Sequence, residues 1–133
     1  MKIVLDTNVF VSSFFGGNPK KIINLWKSGR IVLCLSADII DEYVEVLGRL
    51  GLADEKEIEE LLRLFRSGFH LIFTHNPPEV HAVDADPDDD KFFACAAALG
   101  AEAVIPGDSG VVEVKRYGNI RIYTPGEFLK LFE

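Results

Sequence analysis

Ile3-Val4-Leu5-Asp6-Thr7-Asn8 is the stretch on which the reading of this chain turns. It is an apolar strand that stops on a carboxylate. A strand this apolar is expected to be buried, and in an open parallel sheet its carboxyl end opens onto the ligand crevice. A carboxylate in that position costs free energy unless it is paired or bound. Function therefore depends on which other acids can stand beside Asp6.

Working outward, four further apolar runs join Lys2–Leu5 as predicted strands: Ile31–Leu35, His70–Thr74, Ala103–Ile105 and Ile120–Tyr123. Segments of helical period lie between them. Asn18-Pro19 starts one helix, with Ile22, Ile23 and Trp26 on its apolar face. Ser36 caps the next, which turns Ile39, Ile40, Tyr43, Val44 and Leu47 inward. Asp54 can cap a third, Glu55–Ser67, with Ile58, Leu61, Leu62 and Phe65 apolar. Its charges, Glu55, Glu59 and Glu60 against Arg63 and Arg66, suggest a solvated face. A loop with Pro77, Pro78 and Pro87 leads into a fourth helix, Asp89–Leu99, closed by Gly100. A short helix is expected after Asp108, and a last one after Pro125 with Phe128, Leu129 and Phe132. Alternating β and α elements imply an α/β fold: a three-layer α/β/α sandwich with a central parallel sheet of about five strands. With no repeat, linker or low-complexity segment, residues 1–133 are expected to form one domain.

The chain has 133 residues, is 48% hydrophobic and 26% charged, and carries a net charge of −7. That balance fits a globular domain and argues against a general nucleic-acid coat, which would be basic. It leaves room for a nuclease that holds its substrate through metal ions and a local basic patch. Lys20, Lys21, Lys27 and Arg30 form one such group, and Lys115, Arg116 and Arg121 a second; solvated surface charge explains either group as well. No apolar run reaches the roughly 18 residues of a membrane span, and no secretory signal is evident, so a cytoplasmic location is expected. Cys34 and Cys95 sit in apolar strings and read as buried small hydrophobes. His70, His75 and His81 have no Cys partner at zinc-ligand spacing.

Four places put carboxylates near the expected crevice. Asp6 ends the first strand. Glu42 lies on the helix after the second, at the edge of the stripe between Ile39 and Tyr43, whereas Asp41 and Glu45 point further toward solvent. The run Asp84, Asp86, Asp88, Asp89, Asp90 leads into the fourth helix. Asp90, followed by Phe93, Ala94 and Ala97, can sit at the crevice end of that helix's buried face. Asp108 follows the Ala103–Ile105 strand. Each has a plainer alternative: a cap for Asp6, a surface acid for Glu42, a solvated or capping residue in the acidic run, a turn residue for Asp108. Two carboxylates about 4 Å apart repel by roughly 4 kcal/mol at an effective dielectric near 20. Gathering several calls for a cation, and Mg²⁺ or Mn²⁺ suits a site of carboxylates and waters. Such an ion can activate water and stabilise a phosphodiester under attack.

Taken in order, Val4-Leu5-Asp6-Thr7-Asn8-Val9, Ser36 with Glu42-Tyr43 and Val46-Leu47, Asp86-Pro87-Asp88-Asp89-Asp90-Lys91-Phe92, and Gly107-Asp108 resemble the PIN domain, and most of all its VapC-type toxin branch. The resemblance runs from Ile3 to about Tyr123. It implies an α/β/α sandwich and Mg²⁺- or Mn²⁺-dependent endonucleolytic cleavage of RNA. The family's four acids fall on Asp6, Glu42, Asp90 and Asp108, as catalytic residues and metal ligands. The family's polar residue two after the first acid falls on Asn8, an orienting group. The resemblance further implies an antitoxin protein as partner and a homodimer, with Phe14, Phe15 and Trp26 as candidate apolar contacts, each of which reads equally well as core. The fourth motif departs from the family: Pro106 and Gly110 stand where a hydroxyl residue and an accessory acid are common.

The leading expectation is metal-assisted hydrolysis of RNA by an endoribonuclease toxin. No Ser or Cys with a His base offers covalent catalysis. The second is a PIN-fold interaction module that binds a protein partner or RNA without cutting, motivated by Pro106 and Gly110. A phosphoacceptor domain needs an aspartate where His75 and Asn76 stand. A haloacid-dehalogenase-type phosphatase needs one where Asn8 stands.

Overall fold

The computed structural model describes residues 1–52, 56–75, 90–106 and 116–133. Among them the elements run β1 (Lys2–Leu5), α1 (Thr7–Ser12), a 3₁₀ turn (Ser13–Phe15), α2 (Gly17–Lys27), β2 (Val32–Ser36), α3 (Ala37–Arg49), α4 (Lys56–Ser67), β3 (Leu71–Thr74), α5 (Asp90–Leu99), β4 (Ala103–Ile105), β5 (Arg116–Tyr117), β6 (Ile120–Ile122) and α6 (Pro125–Lys130). Asp54, the prolines of the 76–89 segment, the acids before Asp90, and the helix expected after Asp108 lie outside the described residues.

The strands form one sheet in the order β3-β2-β1-β4-β6-β5. Five are parallel, as the β/α alternation requires. The two-residue β5 adds an antiparallel edge that the sequence reading missed. It forms a hairpin with β6 across Gly118-Asn119, where Gly118 takes φ +57°, a backbone glycine adopts without a Cβ penalty. Right-handed crossovers put the helices between β1 and β3 on one face and α5 on the other. Helix α5 packs across β1, β2, β3 and β4, while α6 lies against α2.

Strand β1 occupies the middle of the sheet, hydrogen-bonded to β2 on one side and β4 on the other. That explains its sequence: Ile3, Val4 and Leu5 are all buried, as a strand covered on both faces requires. The chain steps from β1 to β2 to β3 in one direction, then returns past β1 to β4. The order reverses between β1 and β4, and such a switch point leaves a crevice beyond the carboxyl ends of the strands.

Helix α3 follows the expected pattern, with Ser36 capping it by accepting from the Ile39 amide at 3.3 Å. Ile39, Tyr43 and Leu47 are buried, but Val44, expected inward, is 54% exposed. Val44 lies one helical step beyond Tyr43, past the edge of the apolar stripe. Trp26, open to a contact or a core reading, is fully buried with Ile22 and Ile23 on the apolar face expected of its helix. Its indole N–H donates to the Phe69 and His70 carbonyls at 3.1 and 3.3 Å, tying α2 to the turn before β3. That turn approaches so closely that a Cβ on Gly29 would meet His70 Nε2 at 3.0 Å. Phe14 is half-buried, and Phe15 is 72% exposed. Cys34 and Cys95 are buried free thiols, as expected. No helix of the described residues is long and apolar enough to cross a membrane.

Candidate functional site

Asp6 follows β1 directly and sits at the switch point. Its amide donates to the Ile105 carbonyl at 3.1 Å, closing the β1–β4 ladder. Its side chain then accepts from the Val9 amide at 2.9 Å, capping α1. The capping alternative is therefore real. Capping alone, however, is served as well by Asn or Ser, and Asp6 is only 4% exposed. A carboxylate held that deep is offset in part by the amides and dipole of α1. A six-residue helix made of Thr, Asn, Val, Phe and Ser forms here because Asp6 starts it and Val9, Phe10 and Val11 are buried. Intrinsic propensity would not have formed it.

Glu42 reaches the same place from α3. Thr7, the residue after Asp6, donates its hydroxyl to Glu42 Oε2. Lys91, the residue after Asp90, donates Nζ to Glu42 Oε1 at 2.7 Å. The carboxylate of Glu42 thus spans the neighbour of the first predicted acid and the neighbour of the third. The Lys91 ammonium also lies 5.6 Å from the buried Phe92 ring, which adds a cation–π contact. Asp90 is the first residue of α5, where a carboxylate suits the helix dipole. Asn8, expected to orient the site, is exposed on α1, and it is Thr7 that holds Glu42. Asp108 and Gly110 lie outside the described residues. Pro106 is buried at the end of β4.

Tyr43 supports the floor of the site. Its hydroxyl donates to the Leu5 carbonyl, and its ring stacks on Phe10 with centroids 4.1 Å apart and planes 4° off parallel. Burial pushes its phenol well above the ordinary range, and the charges of Asp6, Cys95 and Glu42 push it further. Tyr43 stays neutral and acts as a support. Both predicted acids therefore act on one phenol.

The donor chemistry of this group fits a hard divalent ion: carboxylate oxygens, with no soft ligand among Asp6, Glu42 and Asp90. Among the described residues, no group of three or more His, Cys, Asp or Glu is gathered tightly enough to hold a metal. Lys91 supplies the positive charge beside Glu42 instead. Each carboxylate oxygen has a second acceptor site, so Glu42 can keep its bonds to Thr7 and Lys91 and still face a cation.

The sequence reading missed Thr7 and Lys91, although both were visible beside predicted acids. Thr7 stands between Asp6 and Asn8, and Lys91 is the cation that ends the acidic run.

A parallel sheet flanked by helices, with Asp6 buried at its switch point, is consistent with a PIN-like α/β sandwich. The chain belongs to the PIN domain family, whose model matches residues 2–110. PIN domains are generally nucleases and usually use divalent metal ions. The chain is similar to a protein of Methanocaldococcus jannaschii described as uncharacterized protein MJ1680. The two are 32% identical, over 100% of this chain and 92% of the relative.

Proposed function

We propose that the protein is a Mg²⁺- or Mn²⁺-dependent endoribonuclease, of the kind that serves as the toxin of a VapC-type toxin–antitoxin pair. The observation that carries this reading is the clamp on Glu42. Its carboxylate is held between Thr7 and Lys91, the residues that follow Asp6 and Asp90 in sequence. Asp6, Glu42, Asp90 and Asp108 are the residues that would hold the ion. A bound divalent ion would activate water and neutralise charge building on the phosphodiester.

The rest belongs to the chain itself. The cap bond from Val9 fixes one oxygen of Asp6 and so the direction of its carboxylate. Thr7 and Lys91 fix both oxygens of Glu42 and so its rotamer. Tyr43 and Phe10 hold the floor beneath, and apolar burial on β1 and β4 keeps water out from below. An antitoxin would cover the crevice and a second copy of the chain would complete the assembly.

The test compares cleavage of a panel of single-stranded RNAs by the native chain and Asp6→Asn over a Mn²⁺ titration. Asparagine keeps the α1 cap, so Asp6→Asn should fold with stability within about 1 kcal/mol of the native chain. It should lose at least 100-fold in cleavage. Equal cutting by both proteins would sink the proposal. Pro106, buried where the family often has a hydroxyl, favours a second reading, a non-cutting interaction module. That reading gains if the folded native chain binds Mn²⁺ yet cuts no RNA in the panel.

A further inference from the structure

Between Asp6 and Asp38 the chain carries Lys20, Lys21, Lys27 and Arg30 and not one acid, in a protein of net charge −7. Lys27 is paired with Glu60 at 3.3 Å. Lys21 and Arg30 instead face a cleft between α2 and α6, where Lys130 joins them from the other wall. Among the described residues none of these three cations meets a carboxylate within ion-pair distance.

The course of the cleft follows from the topology. Helix α6 starts just after β6, and a Cβ on Gly126 would meet Asn18 Nδ2 at 3.5 Å. That end lies at the carboxyl edge of the sheet, the edge that carries Asp6. Arg30, two residues before β2, marks the amino edge, where its guanidinium sits 5.1 Å from the Phe132 ring centroid. The cleft therefore descends the flank of the sandwich from the candidate crevice edge to the opposite edge. At 1.5 Å per residue, the length of α2 is about 16 Å, several phosphate spacings of a nucleic-acid strand. Its volume is about 480 Å³, within the range of ligand sites. Glu133 lines its foot, an acidic residue facing the three cations.

We propose that this cleft is a backbone track for single-stranded RNA, outside the acidic crevice, with Lys21, Arg30 and Lys130 neutralising phosphates of a strand that leaves the crevice edge. The choice of RNA as the polyanion rests on the nuclease reading above. Two features fit a strand better than a compact anion: the cations run from Lys21 near the start of α2 to Arg30 beyond its end, and Phe132, with its ring held against Arg30, offers a face to a base.

The experiment is fluorescence anisotropy with a labelled 20-nucleotide single-stranded RNA in EDTA, titrated from 50 to 300 mM KCl. Lys21→Gln, Arg30→Gln and Lys130→Gln should each weaken binding several-fold. Each should also flatten the slope of log K against log salt by about 0.7, the single-strand value per phosphate contact. The triple variant should flatten it by about 2. Lys21→Arg should bind like the native chain, and Arg49→Gln, on α3 and paired with Glu45, should change neither readout. All three cleft side chains are exposed, and a thermal melt of the triple variant checks that it folds. The proposal is overturned if the triple variant keeps its affinity within twofold and its slope, if Arg49→Gln loses as much, or if a polyglutamate of equal length competes as well as RNA. If the metal-loaded protein cuts no RNA but the slopes change as stated, the nuclease reading fails and the track stands. If RNA is cut and the slopes do not change, the track alone fails.

Discussion

Replacing Lys91 by Met isolates the contact that holds the candidate site together. The Lys91 Nζ to Glu42 Oε1 distance is 2.7 Å, and the two side chains are 22% and 29% exposed. The gross attraction at that distance is about 6 kcal/mol at an effective dielectric near 20 and about 1.5 kcal/mol in water. Desolvation of both groups offsets much of it, and a hydrogen bond to a charged group nets about 1.5–3 kcal/mol. A working figure of about 2 kcal/mol follows. Unfolding a chain of 133 residues carries an entropy near 280 cal/mol/K, so Lys91→Met should lower Tm by about 7 °C. Glu42→Gln retains an acceptor for Thr7, and the double variant should melt well above the sum of the two single losses. The assay is a double-mutant cycle by urea unfolding in EDTA, with a coupling energy of about 1.5–2 kcal/mol expected. A coupling below about 0.5 kcal/mol is the value of an exposed surface pair. That result would refute the claim that Lys91 stands in for a cation beside Glu42. With the coupling present, Mn²⁺ should restore more of the lost Tm in Lys91→Met than it adds to the native chain.

Two further outcomes test the neighbourhood and the core. Thr7→Val keeps the shape of a buried side chain but removes the donor to Glu42 Oε2; urea unfolding should show a loss of about 1 kcal/mol, with RNA affinity in EDTA unchanged. Burial pushes the Cys34 thiol up to about 11, against a lowering from Lys2, and pushes Cys95 up to about 12 with help from Cys34. The folded chain thus holds both protons more tightly than the unfolded chain. This stability is fully present below pH 9 and lost as pH rises through 11 and 12; at pH 8 a thiol reagent should label neither cysteine until urea unfolds the protein.

Strands β1, β2 and β4 were legible because a parallel strand buried on both faces must be apolar throughout, while the half-buried edge strand β3 and the alternating β6 showed as short apolar runs; each predicted run lies within a residue of an observed one. Helix α1 was not legible. Val9-Phe10-Val11 reads as more strand, and only the Asp6 cap together with burial against the sheet turns it into helix. Strand β5 is two residues long and exists through its pairing with β6, too short to leave a periodic signal. Trp26 was open to both a core and a contact reading because a large aromatic among lysines could face either way; its indole N–H finds backbone carbonyls only once β3 is in place. At the site, Asp6 and Asp90 announced themselves by position, one after a strand and one opening a helix. The link between them through Thr7, Glu42 and Lys91 joins residues 35 and 49 apart in sequence, a distance no local pattern spans.

Glu42 and Tyr43 are consecutive on α3, one holding the clamp and the other stacked on Phe10 and bonded to Leu5. The two share consecutive backbone units of one helix, so the backbone cannot move at one without moving at the other. Freeing the carboxylate by fraying α3 means opening the core beside β1, the most protected strand of the sheet. Amide hydrogens around Glu42 should therefore exchange through the global transition, and not through a cheaper local opening. The site has no melting point of its own: on warming, it is lost when the fold is lost.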